Sequence, residues 1–91
     1  MVTLKDGRSV DLELFKFDSC PFCMRVMRRV KTLGLEGQVR YRDTMREPGA
    51  ADELRRRGGE DQVPCLFVDG EPMYESADIV AWLEENVPAS A

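Results

Sequence analysis

Apolar residues alternate along Val10, Leu12 and Leu14 and then run almost unbroken through Phe15 and Phe17, which predicts a strand with at least one face buried. Ahead of it, Val2-Thr3-Leu4 followed by Asp6-Gly7 predicts a short extra strand turning into this one. The period then changes. Phe22, Val26, Val30 and Leu33 recur at helical steps, with Arg25, Arg28, Arg29 and Thr32 on the opposite side, so residues 21–33 read as an amphipathic helix. Pro21 suits the first helical position and Gly34 suits the stop.

A short strand follows at 38–43. A short helix at 48–57 turns Ala50, Ala51 and Leu54 inward and ends at Gly58-Gly59. Cys65-Leu66-Phe67-Val68 is a third strand, joined through Asp69-Gly70 to a fourth at 72–74. Pro72 places that fourth strand at a sheet edge, because proline cannot donate to a ladder. Ser76 is the expected N-cap of a last helix, 77–86, packed through Ile79, Val80, Leu83 and Val87. The order β-α-β-α-β-β-α predicts an α/β fold: a right-handed βαβ unit and a C-terminal hairpin forming one four-stranded mixed sheet with helices on both faces.

Ninety-one residues support a single core, so the whole chain, 1–91, reads as one domain. No apolar run reaches the ~18 residues of a membrane span, and the N-terminus has no apolar secretory segment; the expected location is the cytoplasm. Thirteen basic against seventeen acidic residues argue against nucleic-acid or anionic-membrane binding. The charge is unevenly placed: residues 24–57 hold ten cations against five carboxylates, and from Gly58 onward there are eight carboxylates and no cation. This is either ordinary solvation of helix faces or a positive surface for a small anionic ligand or partner. The Arg55-Arg56-Arg57 run reads as a solvated helix end.

There is no histidine, which removes Ser-His and Cys-His nucleophile pairs and histidine metal sites. Of three cysteines, two are spaced as Cys20-Pro21-Phe22-Cys23. A zinc site needs four ligands, and Cys65 is the one remaining soft donor, so no metal site is expected and redox chemistry leads. The predicted helix puts Cys20 at its N-cap and Cys23 one turn in. Unsatisfied N–H groups and the positive dipole end favour a thiolate at Cys20. Cys20 should face solvent as the nucleophile, with Cys23 shielded behind it as the resolving thiol. Cys65, at the start of a buried strand, reads as an inert packed thiol.

Three segments resemble one family. Phe15-Lys16-Phe17-Asp18-Ser19-Cys20-Pro21-Phe22-Cys23-Met24-Arg25 resembles the strand, active-site loop and helix start of a dithiol glutaredoxin; Gln62-Val63-Pro64-Cys65-Leu66-Phe67-Val68-Asp69-Gly70 is similar to its cis-proline loop and third strand; Tyr74-Glu75-Ser76-Ala77-Asp78-Ile79-Val80 resembles its glutathione-holding turn. The resemblance covers residues 11–88 and implies a thioredoxin-like fold and a monomeric glutathione-dependent thiol–disulfide oxidoreductase. It implies glutathione as co-substrate without a bound organic cofactor, and glutathionylated or disulfide-bonded proteins as partners.

Cys20 would accept the glutathionyl group, and Val63, before a cis Pro64, would pair its backbone with the cysteinyl part. The N–H groups of Ser76 and Ala77 would hold the γ-glutamyl carboxylate, Asp78 the amino group, and Phe22 and Gln62 would line the groove. The chain departs from the family at Phe17, where a lysine is usual, at Cys65 after the proline, and at Tyr74-Glu75 in place of Gly-Gly. Glu75-Ser76 resembles the corresponding turn of glutathione transferase N-terminal domains. Two alternatives accompany the main reading: a redoxin coupled to thioredoxin reductase, and an iron–sulfur carrier holding a cluster between two Cys20 thiolates and two glutathiones.

Overall fold

The computed structural model describes residues 1–88. Strands are β1 (Val2–Thr3), β2 (Ser9–Val10), β3 (Leu12–Lys16), β4 (Val39–Asp43), β5 (Cys65–Val68) and β6 (Glu71–Met73); helices are α1 (Pro21–Thr32), α2 (Ala50–Gly58) and α3 (Ser76–Asn86). The main sheet runs β4-β3-β5-β6, with β3 parallel to β4 and antiparallel to β5, and β5 antiparallel to β6. Pro72 lies opposite Phe67 on the edge strand, as its missing N–H requires. The short extra strand at the N-terminus is present as expected: β1 turns back and pairs antiparallel with β2, Val2 opposite Val10, in a separate two-stranded sheet.

Helices cover both faces. Leu12, Leu14 and Leu66 pack against Val26 and Val30 of α1 and Ile79 and Leu83 of α3. Phe15, Cys65 and Phe67 pack against Ala50 and Leu54 of α2. The inward face of α1 is Cys23, Val26 and Val30, so Phe22 is not a core residue; one step before Cys23, it is turned outward and is 63% exposed. The stop of α1 is as expected: Gly34 takes φ 75°, and the N–H groups of Gly34 and Leu35 reach the carbonyls of Lys31 and Val30.

The second face also holds a charge that the hydrophobic pattern hides. Glu13, on the central strand, is 3% exposed and accepts from Arg42 Nη1 at 2.7 Å and Arg57 Nη2 at 3.0 Å. Burial pushes its carboxyl up, but the hydrogen bonds from Arg57 and Arg42 outweigh it and hold the group below the ordinary range. Glu53 bridges the same two arginines and is held at about 2. Arg57 also lies 4.4 Å over the Phe67 ring. The end of α2 is therefore not a freely solvated arginine run. All three arginines are exposed, but Arg57 reaches back over Phe67 to Glu13 and Glu53.

Candidate active site

The register carries three loops to one end of the sheet. Phe15 opposes Cys65 and Leu66 opposes Met73, so the exit of β3, the entry to β5 and the exit of β6 are neighbours. The first leads to Cys20, the second follows Val63 and Pro64, and the third leads to Glu75. Residues distant in sequence meet there because two antiparallel pairings reverse the chain.

Cys20 is the N-cap of α1, with extended backbone (φ −78°, ψ 118°), and its Sγ accepts from the Cys23 N–H at 3.4 Å. Pro21 at the first helical position leaves no N–H unsatisfied there. Cys20 is more enclosed than expected, 7% exposed, at the end of a turn closed by its N–H to the Phe17 carbonyl at 3.2 Å; Cys23 is wholly buried. Burial first, and the adjoining Cys20 thiol second, push the Cys23 thiol up to about 12. Burial likewise pushes Cys65 to about 11, with Tyr74 as a hydrogen-bonding neighbour that acts in the other sense. A raised thiol stays protonated and unreactive well above neutrality, with on the order of one molecule in 10⁵ ionised at pH 7 for a group at 12. Alkylation of the native reduced protein at pH 7 is therefore expected to modify Cys20 alone, with Cys23 and Cys65 reacting only on unfolding. Comparable rates at all three thiols would contradict the burial argument.

Phe22, two residues after Cys20, lines a groove of about 440 Å³ with Arg25, Gln62, Val63, Pro64, Glu75, Ser76 and Ala77. The Val63–Pro64 bond is cis, as the resemblance implies. Seven of the eight residues expected to contact glutathione thus share one cavity. Asp78 is the exception: it is exposed on the first turn of α3 and does not line the groove. Arg25, which the apolar period sets opposite Phe22, also lines the groove. Yet it is one turn beyond Phe22 on the same side of α1, a spacing that could have signalled it.

The start of α3 also differs from expectation. Glu75 is the N-cap and Ser76 the first helical residue, because the chain reverses from β6 into α3 within two residues. That reversal sets Glu75 at φ 69°, which a side chain adopts at a cost. Its carboxylate accepts from Gln62 Nε2 at 3.2 Å, tying the Pro64 loop to the helix start. Glu75→Gly should raise stability by about 1 kcal/mol, the strain relieved less the entropy glycine adds to the unfolded chain. A lower urea midpoint for this variant would show that Glu75 is unstrained.

Lys16 does not reach the groove. It is buried on the other side of the loop and pairs with Asp18 at 2.7 Å and Asp43 at 3.3 Å. Burial lowers its ammonium and the two carboxylates more than restore it. Phe17 thus leaves the place usually held by a lysine without a charge.

The comparisons with known proteins agree with this geometry. The chain is 30% identical over 81 residues to glutaredoxin 1 of Escherichia coli, an alignment covering 84% of this chain and 95% of that protein. The chain belongs to the glutaredoxin family. The family model for the glutathione S-transferase N-terminal domain also matches this glutaredoxin, over residues 14–91. Among solved structures, it superposes on oxidized glutaredoxin 2 of Chlamydomonas reinhardtii with a TM-score of 0.65 at 15% identity, covering 82% of this chain and 72% of that one. It superposes on rice GST1 in complex with glutathione with a TM-score of 0.69 at 29% identity, covering 86% of this chain and 33% of the transferase. The glutaredoxin spans about a third of the transferases it resembles. Its α/β, thioredoxin-like fold is common to both groups, and its redox function is of the glutaredoxin type.

Proposed function

We propose that this glutaredoxin reduces glutathionyl mixed disulfides and protein disulfides with glutathione as co-substrate. The observation that carries the reading is an N-cap thiol, Cys20, on the helix whose Phe22, two residues on, lines a groove together with the Val63–Pro64 loop and the start of α3. The Cys20 thiolate attacks the glutathionyl sulfur, a new S–S bond forms, and the protein thiolate leaves. A second glutathione thiolate then attacks that bond, glutathione disulfide departs, and Cys20 is regenerated. With protein disulfides, Cys23 loses its proton and displaces the substrate thiolate, leaving a Cys20–Cys23 disulfide for glutathione to reduce.

In this reading the Val63 backbone pairs with the cysteinyl part of glutathione. The N–H groups of Ser76 and Ala77 receive the γ-glutamyl carboxylate at the positive end of α3, while Glu75 and Asp78 attract its amino group. Phe22 and Gln62 form the walls. The likeness to rice GST1, solved in complex with glutathione, supports the assignment of ligand. Three free cysteines suit a reducing compartment, the cytoplasm, and the site is complete in one chain, so we propose a monomer.

The test is reduction of a small glutathionyl disulfide, with glutathione and glutathione reductase or with thioredoxin reductase alone as electron source. Turnover is expected with the first. Turnover only with the second would assign the protein to a thioredoxin system, and a coloured cluster-bearing dimer after anaerobic purification would assign it to iron–sulfur transfer.

A further inference from the structure

The chain has thirteen cations and seventeen carboxylates, yet α1 carries Arg25, Arg28, Arg29 and Lys31 and no acidic residue. Elsewhere cations are mostly neutralised in place: Lys16, Arg40, Arg42, Arg46, Arg55 and Arg57 all lie against carboxylates. On α1 only Arg29 does, with Glu84 at 3.2 Å. Arg25, Arg28 and Lys31 have no carboxylate partner among the described residues, and all three are exposed. A positive ridge thus starts at the groove and runs down the helix in a molecule whose net charge is negative.

The ridge borders an apolar recess. Met24, Met27 and Tyr41 line a hollow of about 480 Å³ whose rim is Arg28, Lys31 and Glu36. Met24 is 44% exposed, although it is only four residues from Cys20. Methionines in such a place adapt to varied apolar side chains, while unpaired cations select the sign of the partner's charge.

We propose that this face of α1, formed by Met24, Met27, Arg28, Lys31 and Tyr41, docks an acidic segment of the protein substrate beside its reacting cysteine. The proposal rests on the glutathione-dependent reading above and adds the substrate class. Arg28 and Lys31 lie about 12 and 16 Å along the helix from Cys20, at 1.5 Å per residue. An extended substrate covers about 3.3 Å per residue, so its carboxylates should fall about four or five positions from the cysteine at Cys20. An apolar residue between them would enter the methionine recess. Glu36 is the one carboxylate on the rim and keeps strongly negative segments toward the Arg28 side.

The experiment uses three glutathionylated cysteine peptides, with glutamate, glutamine or lysine at the fourth and fifth positions. The protein is compared with its Arg28→Glu/Lys31→Glu variant. At low salt the acidic peptide should exceed the lysine peptide in kcat/KM by on the order of tenfold, and the difference should shrink as salt is raised. In the variant the order should reverse, with turnover of a small glutathionyl disulfide unchanged. Equal kcat/KM for the three peptides, or a variant that keeps the original order, overturns the proposal.

Peptide binding to a Cys20→Ser protein is measured in parallel. Charge-selective binding by the Cys20→Ser protein, with no turnover of any peptide by the unsubstituted protein, would uphold the docking surface and condemn the functional reading instead. If the variant loses binding to phosphatidylserine vesicles but keeps its peptide preference, the ridge serves a lipid and the proposal fails.

Discussion

Cys20→Ser is expected to abolish turnover of every disulfide substrate, whereas Cys23→Ser keeps the reduction of glutathionyl mixed disulfides and loses substrates that need an intramolecular disulfide. The difference follows from placement. Cys20 is the least buried of the three thiols, 7% exposed against 0% for Cys23 and Cys65, and its sulfur already accepts a backbone N–H at the positive end of α1. A serine hydroxyl in the same place cannot form a disulfide, so the loss should be complete. Cys23 is wholly buried and held protonated up to about 12, so it reacts only with a partner delivered against it, the disulfide on Cys20. A second glutathione entering the groove can replace it. Steady-state rates with a small glutathionyl disulfide and with a protein dithiol substrate separate the two roles. A Cys23→Ser protein inactive with both would mean that glutathione cannot resolve the intermediate here.

The second large effect is expected on the substrate side. A mixed disulfide carrying cysteinylglycine, which lacks the γ-glutamyl group, should lose on the order of a hundredfold in kcat/KM, the ~2.7 kcal/mol of one good charge-assisted hydrogen bond. One carrying γ-glutamylcysteine, which lacks glycine, should stay within a few-fold. The asymmetry comes from what meets each end of the ligand. For the γ-glutamyl group there are the first N–H groups of α3, with Glu75 and Arg25 beside them. For the glycine carboxylate, Phe17 supplies no charge where the family usually has a lysine and does not line the groove, and Lys16 is already occupied by Asp18 and Asp43. A lost exposed ion pair changes binding by only ~0–1 kcal/mol. Equal rates for the two truncated substrates would remove the γ-glutamyl assignment. Glu75→Ala measured on all three disulfides would show whether Glu75 or the exposed Asp78 matters more.

Elements with a strong period were legible in the sequence because one face of each is buried: the α1 stripe, the central strand and the hairpin at Asp69-Gly70 all lie where the pattern puts them. Cys20 as N-cap was legible for a local reason, since Pro21 and the helical period leave no other start. Phe22 belongs by helical period to the core stripe and by motif to the groove, and only the rotation of α1 about Cys23 separates the two. Glu13 was invisible, because a charge on a strand reads as solvent-facing until the arginines that satisfy it, 29 and 44 residues away, are brought alongside. The start of α3 shifted by one residue for a similar reason. Ser76 is a good cap in isolation, but the geometry of the preceding edge strand puts the turn at Glu75. Arg25 and Gln62 acquire meaning only when the sheet carries their loops together.

The central claim is that Cys20, and no other thiol, carries glutathione during turnover. Its most direct test is mass spectrometry of the Cys23→Ser protein after incubation with glutathione disulfide, followed by peptide mapping. The account predicts one glutathionyl group per chain, attached at Cys20 and released by reduced glutathione. No adduct, an adduct at Cys65, or one that reduced glutathione leaves in place would contradict it.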